Sequence, residues 1–462
     1  MKLTMNPTSR SELSLTGTQY ASRWNASGEI PLRAVQAGLI DRFGSIDPSQ
    51  GGRTQRTTGN LRYHYDTPSG GTAFAEAFLQ YYRLDLFSNF TFFRTDPVNG
   101  DGIEQVDRRY LYGGELGYRQ RGKVLGVASA STLGLQTRVD DAHVRLGTQR
   151  QRQPLGTTTD SNILEASYSP YLKLEFRPTS WARITGGARA DFFTFNVTDR
   201  CGPSCTQRPN GRAQDVIPTT KGNLTLGPWF GTEFFLNAAT GFHSNDARAV
   251  VSNPNIQTLP RATAYEAGLR TWQWDRVELV MALWMLDLSS ELVFNGDDAT
   301  TDILGATRRY GVELGNRLKL LEWLTFTGDV NFTHAAFRGT GQAIPQAPLM
   351  TGRADVTARL TTGLSASLQM LHLGSRPLTE DRSVSAQPFT IFNVVARYRP
   401  VSKGWWRQLE GFLSVQNLTD TRWRQDQLFF ESRLATEPAP AGDIHFVSGT
   451  PRMVLGGVSL YF

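Results

Sequence analysis

Few residues of this chain are of a type and spacing that could do chemistry. Cys201 and Cys205, in the segment CGPSC, are its only cysteines. Their spacing suits a small loop disulfide or two free thiols, and we favour the disulfide. A structural zinc cluster needs about four ligands, and the sequence has no Gly-x-Ser-x-Gly elbow, phosphate-binding loop or His-Glu-x-x-His motif. We therefore predict no enzyme activity, no metal site and no cofactor.

The composition argues against two further classes of protein. The net charge is +6, but only 6 of the 48 basic residues are Lys, and the Arg residues are spread without a basic block, which is a poor footprint for nucleic acid. No segment approaches the roughly 18 to 20 consecutive apolar residues of a membrane-spanning helix. The N-terminus also lacks the apolar segment of an export signal. We expect either a mature chain or one whose front is missing.

Period-two alternation is the dominant pattern, and it predicts the elements that must position any functional residue. The alternation recurs over 172–177, 183–191 and 392–398. Many such segments exceed about 10 residues, whereas strands of soluble sandwiches usually have about 5 to 6. We therefore expect the apolar face to contact lipid and the polar face to line a lumen. The clearest example sets apolar against polar positions: Leu324, Phe326, Val330 and Phe332 against Asp329 and Asn331.

The connections between about eighteen predicted strands alternate in length. This alternation is typical of an antiparallel outer-membrane β-barrel, with short periplasmic turns and long extracellular loops. Five Trp residues beside the short turns predict an aromatic girdle at one membrane interface: Trp181, Trp229, Trp274, Trp323 and Trp406. The predicted long connections are about 26–56, 94–106, 146–160, 199–215, 244–260, 336–347, 376–386 and 428–444. A barrel enzyme with a Ser/His pair is the remaining enzymatic alternative.

Several segments resemble the TonB-dependent outer-membrane receptors of Gram-negative bacteria. The segment LSVQNLTDTRW, with Asn417 and Asp420, resembles the signature of the family's penultimate strand. Gly241 before a long connection, and Tyr265-Glu266-Ala-Gly-Leu after it, are similar to another strand pair of these receptors. The order of these segments and their placement against the C-terminus make the resemblance specific, and it covers most of the chain.

These motif residues suit structural roles. We expect Asn417 and Asp420 to form an Asx-type turn or bulge, Gly241 to permit a close backbone approach, and Tyr265 to anchor at an interface. The chain ends on Phe462, with apolar residues at alternate positions before it. By resemblance, the assembly machinery of such barrels reads an aromatic end, so deleting Phe462 is expected to lower the insertion yield.

The resemblance implies capture of a scarce nutrient, above all a ferric siderophore, by a monomeric receptor that moves it into the periplasm with energy from the TonB complex. Cobalamin, haem, copper and oligosaccharide are the alternative cargoes. Arginine suits anionic ferric complexes, and aromatic residues suit catechol or macrocyclic rings. The candidate ligand contacts lie in or beside the long connections: His243, Asp246, Arg248, His334, His372, Arg376, Arg382, Trp423, Arg424 and His445.

The front of the chain departs from the family pattern. Family members resemble a two-part machine, with an N-terminal plug that contacts TonB and fills a barrel of about 22 strands. Residues 1–462 contain no recognisable plug, so we expect them to form a barrel domain alone, whose TonB contact requires a plug outside these residues. An even count of eighteen strands also permits a closed passive porin, which is the main alternative.

Overall fold

The computed structural model describes residues 1–295, 300–401, 404 and 408–461. Phe462 and Trp406 therefore lie outside the described residues. Two short α-helices are present in these ranges, α1 (Leu32–Gln36) and α2 (Ala247–Ser252), together with a 3₁₀ helix at Gly202–Ser204. Within the same ranges, no helix is both long and apolar enough to span a membrane.

Strands account for most of the fold. In chain order they are β1 (Lys2–Thr8), β2 (Ser11–Asn25), β3 (Ile30–Pro31), β4 (Gly51–Asp66), β5 (Gly71–Ser88), β6 (Ile103–Val124), β7 (Val127–Arg150), β8 (Gln153–Thr179), β9 (Ala182–Asp199), β10 (Gly211–Trp229), β11 (Thr232–Phe242), β12 (Arg261–Gln273) and β13 (Val277–Leu288). They continue with β14 (Glu291–Asn295), β15 (Thr300–Leu304), β16 (Thr307–Leu321), β17 (Leu324–Phe337), β18 (Met350–Arg359), β19 (Leu364–Leu373), β20 (Arg376–Pro377), β21 (Ser385–Ala386), β22 (Phe389–Tyr398), β23 (Leu409–Gln416), β24 (Arg424–Ser432), β25 (Ala441–Ser448) and β26 (Met453–Leu460).

Nineteen of the described strands form one antiparallel sheet, in which each pairs with the sheet strand before and after it in the chain, except that β1 and β26 have one partner each. The other seven are short strands within loops. The all-β antiparallel barrel fold expected from the sequence is confirmed, and the described residues contain nineteen sheet strands where the sequence predicts about eighteen. The additional strand is β1, which is only seven residues long and contains Pro7. Its alternation of apolar and polar residues is too short to predict a strand from the sequence. The even count that permitted a porin does not hold for the described strands.

The register of pairing assigns each residue to a face, because directly paired residues project from the same side of a sheet. We call inner the face on which Ala247 of α2 packs against Phe195 and Ile217. Following the pairs from β10 through β11, β12, β13 and β16 to β17 places Asp329 and Asn331 on this inner face. Val330 and Phe332 consequently lie on the outer face, as the alternation predicts.

The outer face exposes a broad apolar surface. Leu79, Leu116 and Leu133 are 53%, 62% and 65% exposed, respectively. Soluble monomers rarely expose contiguous apolar patches larger than a few hundred Å². A surface of this kind suits hydrocarbon as its neighbour.

One end of the sheet carries the short turns and the other the long loops. Trp181, Trp229, Trp274 and Trp323 all lie at the short-turn end, where the rings of Trp181 and Trp229 are 5.7 Å apart. One predicted long connection is wrong, because 146–160 is mostly strand. β7 and β8 continue past the level of their neighbours and are joined by only residues 151–152. Backbone pairing extends this polar hairpin without the apolar alternation that marks strands in sequence.

Candidate ligand-binding site at the long-loop end

Three loops that are distant in sequence interlock at the long-loop end, and we call residues 26–50, 89–102 and 417–452 together the cap. Strand β3 of the first loop pairs with β25 of the last, with Ile30 opposite Phe446. The middle loop joins the last through Phe92, which forms a parallel bridge with Arg433. Backbone hydrogen bonds therefore fix the three loops to one another.

The cap has its own core. Ala34, Phe92 and Leu434, one from each loop, are 0%, 1% and 5% exposed. Above this core, Arg33 donates from Nε to Glu437 Oε1 at 2.7 Å and lies 3.5 Å from Asp443. The hydrogen bond with Arg33 holds the pKa of Glu437 below its usual range. The first and last loops are thus joined by apolar packing and by charge.

His445 is enclosed in the cap and exposes none of its surface. Its ring stacks on Phe430 with centroids 3.8 Å apart, Nε2 lies 2.7 Å from Ser432 Oγ, and Nδ1 lies 3.0 Å from Asp443 O. Burial lowers the pKa of His445 to about 3, so the ring is neutral at ordinary pH. Because both ring nitrogens have internal partners, this geometry favours a structural role over ligand contact.

A cationic and aromatic surface lies beside this core. We use the name arginine patch for Arg42, Arg422 and Arg424. The positive charge of Arg422 acts on Arg42, and the positive charge of Arg42 acts on Arg424. Burial and the neighbouring guanidinium both lower the pKa of Arg42 and of Arg424. Asp420 acts in the opposite direction on Arg42, and Asp443 does so on Arg424. Arg424 lies over the Phe446 ring at 4.8 Å. The patch can donate several charge-assisted hydrogen bonds to an anion next to aromatic surface.

Trp423 lies within this region of the last loop. Its ring packs 4.6 Å from that of Phe389, and Nε1 donates to Thr450 O at 3.1 Å. Arg42 donates from Nη2 to Trp423 O at 2.9 Å. The indole is therefore held in place and anchors the chain between the two arginines of the last loop.

Arg376 is nearly enclosed, with 5% of its side chain exposed. Nε donates to Gln346 Oε1 at 2.8 Å, Nη2 is 3.9 Å from Asp426, and Nη1 has no hydrogen-bond partner among the described residues. Burial lowers the pKa of this guanidinium, and Asp426 opposes the effect. The unpaired N–H group is a donor that a ligand oxygen could satisfy.

The loop 243–260 folds against the inner wall through α2. Asp246 caps this helix by accepting from Arg248 N at 2.8 Å, and the two side chains form an ion pair at 2.6 Å. Burial acts to raise the pKa of Asp246, but Arg248 outweighs it and the pKa falls below its usual range. Arg248 in turn lies near Asp107 and Arg109 of β6. Its charge is already compensated, which makes it a weaker anion receptor than the arginine patch.

The other candidates do not converge with the cap. His243 lies at the base of the loop 243–260, where its N donates to Pro260 O at 3.3 Å. Arg382 is exposed in a turn of the loop 374–388. His334 and His372 lie on the outer face, where His334 packs on Tyr310 and His372 Nδ1 is 2.8 Å from Thr390 Oγ1. The last two point away from the lumen.

The structural motif residues form turns and pairs. Asn417 and Asp420 have φ of 50° and 52°, and Asn417 Oδ1 accepts from Thr421 N at 2.9 Å. Both residues adopt the left-handed conformation that Asn and Asp tolerate in turns, but the side-chain bond of Asn417 reaches four residues on instead of the two of an Asx-type turn. One expectation is wrong: Gly241 has room for a Cβ atom, whose nearest neighbour would be Ala262 Cβ at 4.0 Å, so no close backbone approach occurs there.

Three further predicted residues have clear positions. Tyr265 projects outward and is 50% exposed, while Glu266 projects inward and accepts from Asn237 Nδ2 at 3.1 Å. Cys201 and Cys205 are joined by a disulfide bond. Phe462 lies outside the described residues.

Sequence reasoning missed Arg33, Arg42 and Arg422. Arg422 adjoins a recognised motif and could have been found there. Arg33 and Arg42 lie in the first long connection and join the site only through the pairing of β3 with β25. No local signal marks that pairing, because β3 is two residues long.

The nineteen-stranded sheet, its apolar outer face and its interlocked loops at one end define a membrane receptor barrel. Residues 4–418 match the family model described as TonB dependent receptor-like, beta-barrel. The chain therefore belongs to the TonB-dependent receptor family, as its sequence motifs implied. No curated protein sequence matches it.

Solved structures share this fold at low sequence identity. The ferric citrate transporter FecA superposes with a TM-score of 0.81 at 16% identity, over 99% of this chain and 69% of FecA. The siderophore receptor PiuA from Acinetobacter baumannii gives 0.79 at 12%, over 99% and 73% of the two chains. The copper transporter OprC gives 0.75 at 14%, over 100% and 71%. Such identities show the shared fold and leave the cargo open.

Proposed function

We propose that this protein is a bacterial outer-membrane receptor that binds an anionic ferric siderophore at its long-loop end, as a monomer, for TonB-energised uptake into the periplasm. Membership of the family supports the TonB partnership and a small-molecule ligand. The apolar outer face supports the membrane location. Within this proposal the cap is the receptor surface.

The arginine patch is the observation that carries the choice of cargo. Arg422 and Arg424 flank Trp423, whose backbone oxygen accepts from Arg42, and Arg424 lies over the Phe446 ring, so the three arginines lie near aromatic surface. Planar guanidinium groups bind carboxylate and catecholate oxygens well, and aromatic rings bind flat organic groups. An anionic, ring-bearing chelate uses both features. A neutral cargo would add no negative charge to that of Asp420 and Asp443, which already oppose the mutual repulsion of the arginines.

Growth under iron limitation tests this proposal. A strain that lacks other ferric receptors and expresses the gene for this chain is supplied with a panel of ferric siderophores. One of them should restore growth in the parent. The double variant R422Q/R424Q should weaken binding of that siderophore by about tenfold or more, because a hydrogen bond to a charged group contributes roughly 1.5–3 kcal/mol.

The matched control is R308Q, which also removes an arginine near the long-loop end but from the outer face, where Arg308 forms an ion pair with Asp287 at 2.7 Å. It should bind the siderophore as the parent does. The cargo assignment fails if no siderophore in the panel restores growth. It fails equally if R422Q/R424Q and R308Q bind alike.

A further inference from the structure

A second group of arginines lies on the outer face of the sheet, away from the cap. Register places Arg23 of β2 directly opposite Arg53 of β4, and Arg83 of β5 directly opposite Arg108 of β6. Like charges directly opposite one another destabilise a sheet. Two such pairs on neighbouring strands therefore mark a site of excess positive charge.

One carboxylate holds part of this group in position. Asp85, 4% exposed, accepts from Arg53 Nε at 2.7 Å and from Arg83 Nε at 3.0 Å. Arg23 and Arg108 are exposed and form no hydrogen bond or ion pair within the described part of the chain. Asp141 is the next carboxylate on this face, diagonally across from Arg108, so four guanidinium groups against Asp85 and Asp141 leave a local net charge of +2. The free donors point out from the sheet.

The position along the strands identifies the environment of these arginines. Tyr81 and Tyr110 are paired with each other, and their ring centroids are 5.1 Å apart. Each tyrosine lies two residues, or about 7 Å along its strand, nearer to the short-turn end than Arg83 or Arg108. Beyond the tyrosines the outer face is apolar, with Leu79 and Leu116 exposed. Tyrosine is enriched where membrane hydrocarbon meets the headgroups, so the arginines lie at headgroup level on the long-loop side.

We propose that Arg23, Arg53, Arg83 and Arg108 form a binding site for the phosphate groups of a lipid in the outer leaflet of the membrane. Guanidinium groups bind phosphate through paired, charge-assisted hydrogen bonds. The apolar surface of β5 and β6, below Arg83 and Arg108, accepts the acyl chains of the same molecule. Continuity of the cationic and apolar surfaces favours a lipid over a free anion or an acidic protein. The inference rests on the proposed membrane location and is independent of the cargo.

The test measures binding of diphosphorylated lipid A to the purified full chain in an uncharged detergent, by native mass spectrometry. The double variant R23Q/R108Q removes the two arginines that have no protein partner, and it should weaken binding by about tenfold or more. R308Q is the matched control, since it removes one outer-face arginine whose charge Asp287 already compensates. R23K/R108K should regain part of the affinity, and heat-dependent gel mobility verifies that each variant is folded.

Three outcomes would overturn the site. In the first, R23Q/R108Q binds lipid A as the parent does. In the second, inorganic phosphate displaces lipid A at equal concentration, which would identify a simple anion site. In the third, R23Q/R108Q alters self-association without altering lipid binding, which would identify a protein contact. Siderophore uptake by R23Q/R108Q is expected to match the parent, so failure of this site and failure of the proposed cargo are distinguishable.

Discussion

Two adjacent residues of β17 provide a direct test of which face contacts lipid. Val330 lies six residues beyond Leu324, where the strand begins. At about 3.3 Å per residue and a strand tilt of about 40°, Val330 lies about 15 Å above the short-turn end, close to the middle of an apolar band about 25 Å tall. Asn331 lies at nearly the same depth but on the inner face, directly opposite Glu313.

The two substitutions to arginine should therefore differ greatly. A lipid-facing arginine near the bilayer midplane costs about 2–4 kcal/mol, which lowers the ratio of folded to unfolded protein by a factor of about 30 to 900. Val330→Arg should lower the free energy of unfolding by this amount. Asn331→Arg places the same guanidinium in a polar lumen beside the Glu313 carboxylate, so the change should stay below about 1 kcal/mol.

Equilibrium refolding of the full-length gene product into lipid vesicles measures both free energies of unfolding. The two variants add the same side chain at neighbouring positions, so each controls for the other. Equal destabilisation would contradict the assigned faces. A larger loss for Asn331→Arg would reverse them.

Two more predictions concern the cap and the sheet edges. Burial lowers the pKa of His445 from 6.5 to about 3, so the folded cap excludes a proton that the unfolded chain accepts. The stabilisation is complete above pH 6.5 and is lost as the pH falls toward 3. Limited proteolysis of the cap should accelerate over this range, and the acceleration should shrink in His445→Gln; a flat profile in the parent would contradict the mechanism. Among the described residues, β1 pairs only with β2 and β26 only with β23. Two such edges expose costly backbone groups to hydrocarbon, so residues 1–462 alone should give no steady conductance in planar bilayers, and steady single-channel currents would refute this.

The period of two along a strand also explains why two of the predicted ligand contacts do not face the lumen. His334 and His372 were chosen because they flank long connections, but each is separated from a lipid-face residue of its own strand by an even number of positions. His334 is four residues from Val330 and therefore projects outward too. Extending the period of two to the strand end would have excluded both as luminal contacts.

Local sequence patterns suffice to predict most of the strands, their faces and the end of the barrel that carries the loops. These are local properties, because the pleat of a strand has a period of two and short turns need only a few residues. β1 and the polar hairpin of β7 and β8 were missed or misread because their pairing leaves little local pattern.

The site depends on contacts between residues that are far apart in the sequence. Arg33 and Glu437 are 404 positions apart, and the cap that buries His445 exists because the first and last loops pair. The apposition of Arg23 with Arg53 likewise depends on the register between strands. Contacts of this kind follow from which strand ends become neighbours when the sheet curves, and no local pattern of residue types encodes that.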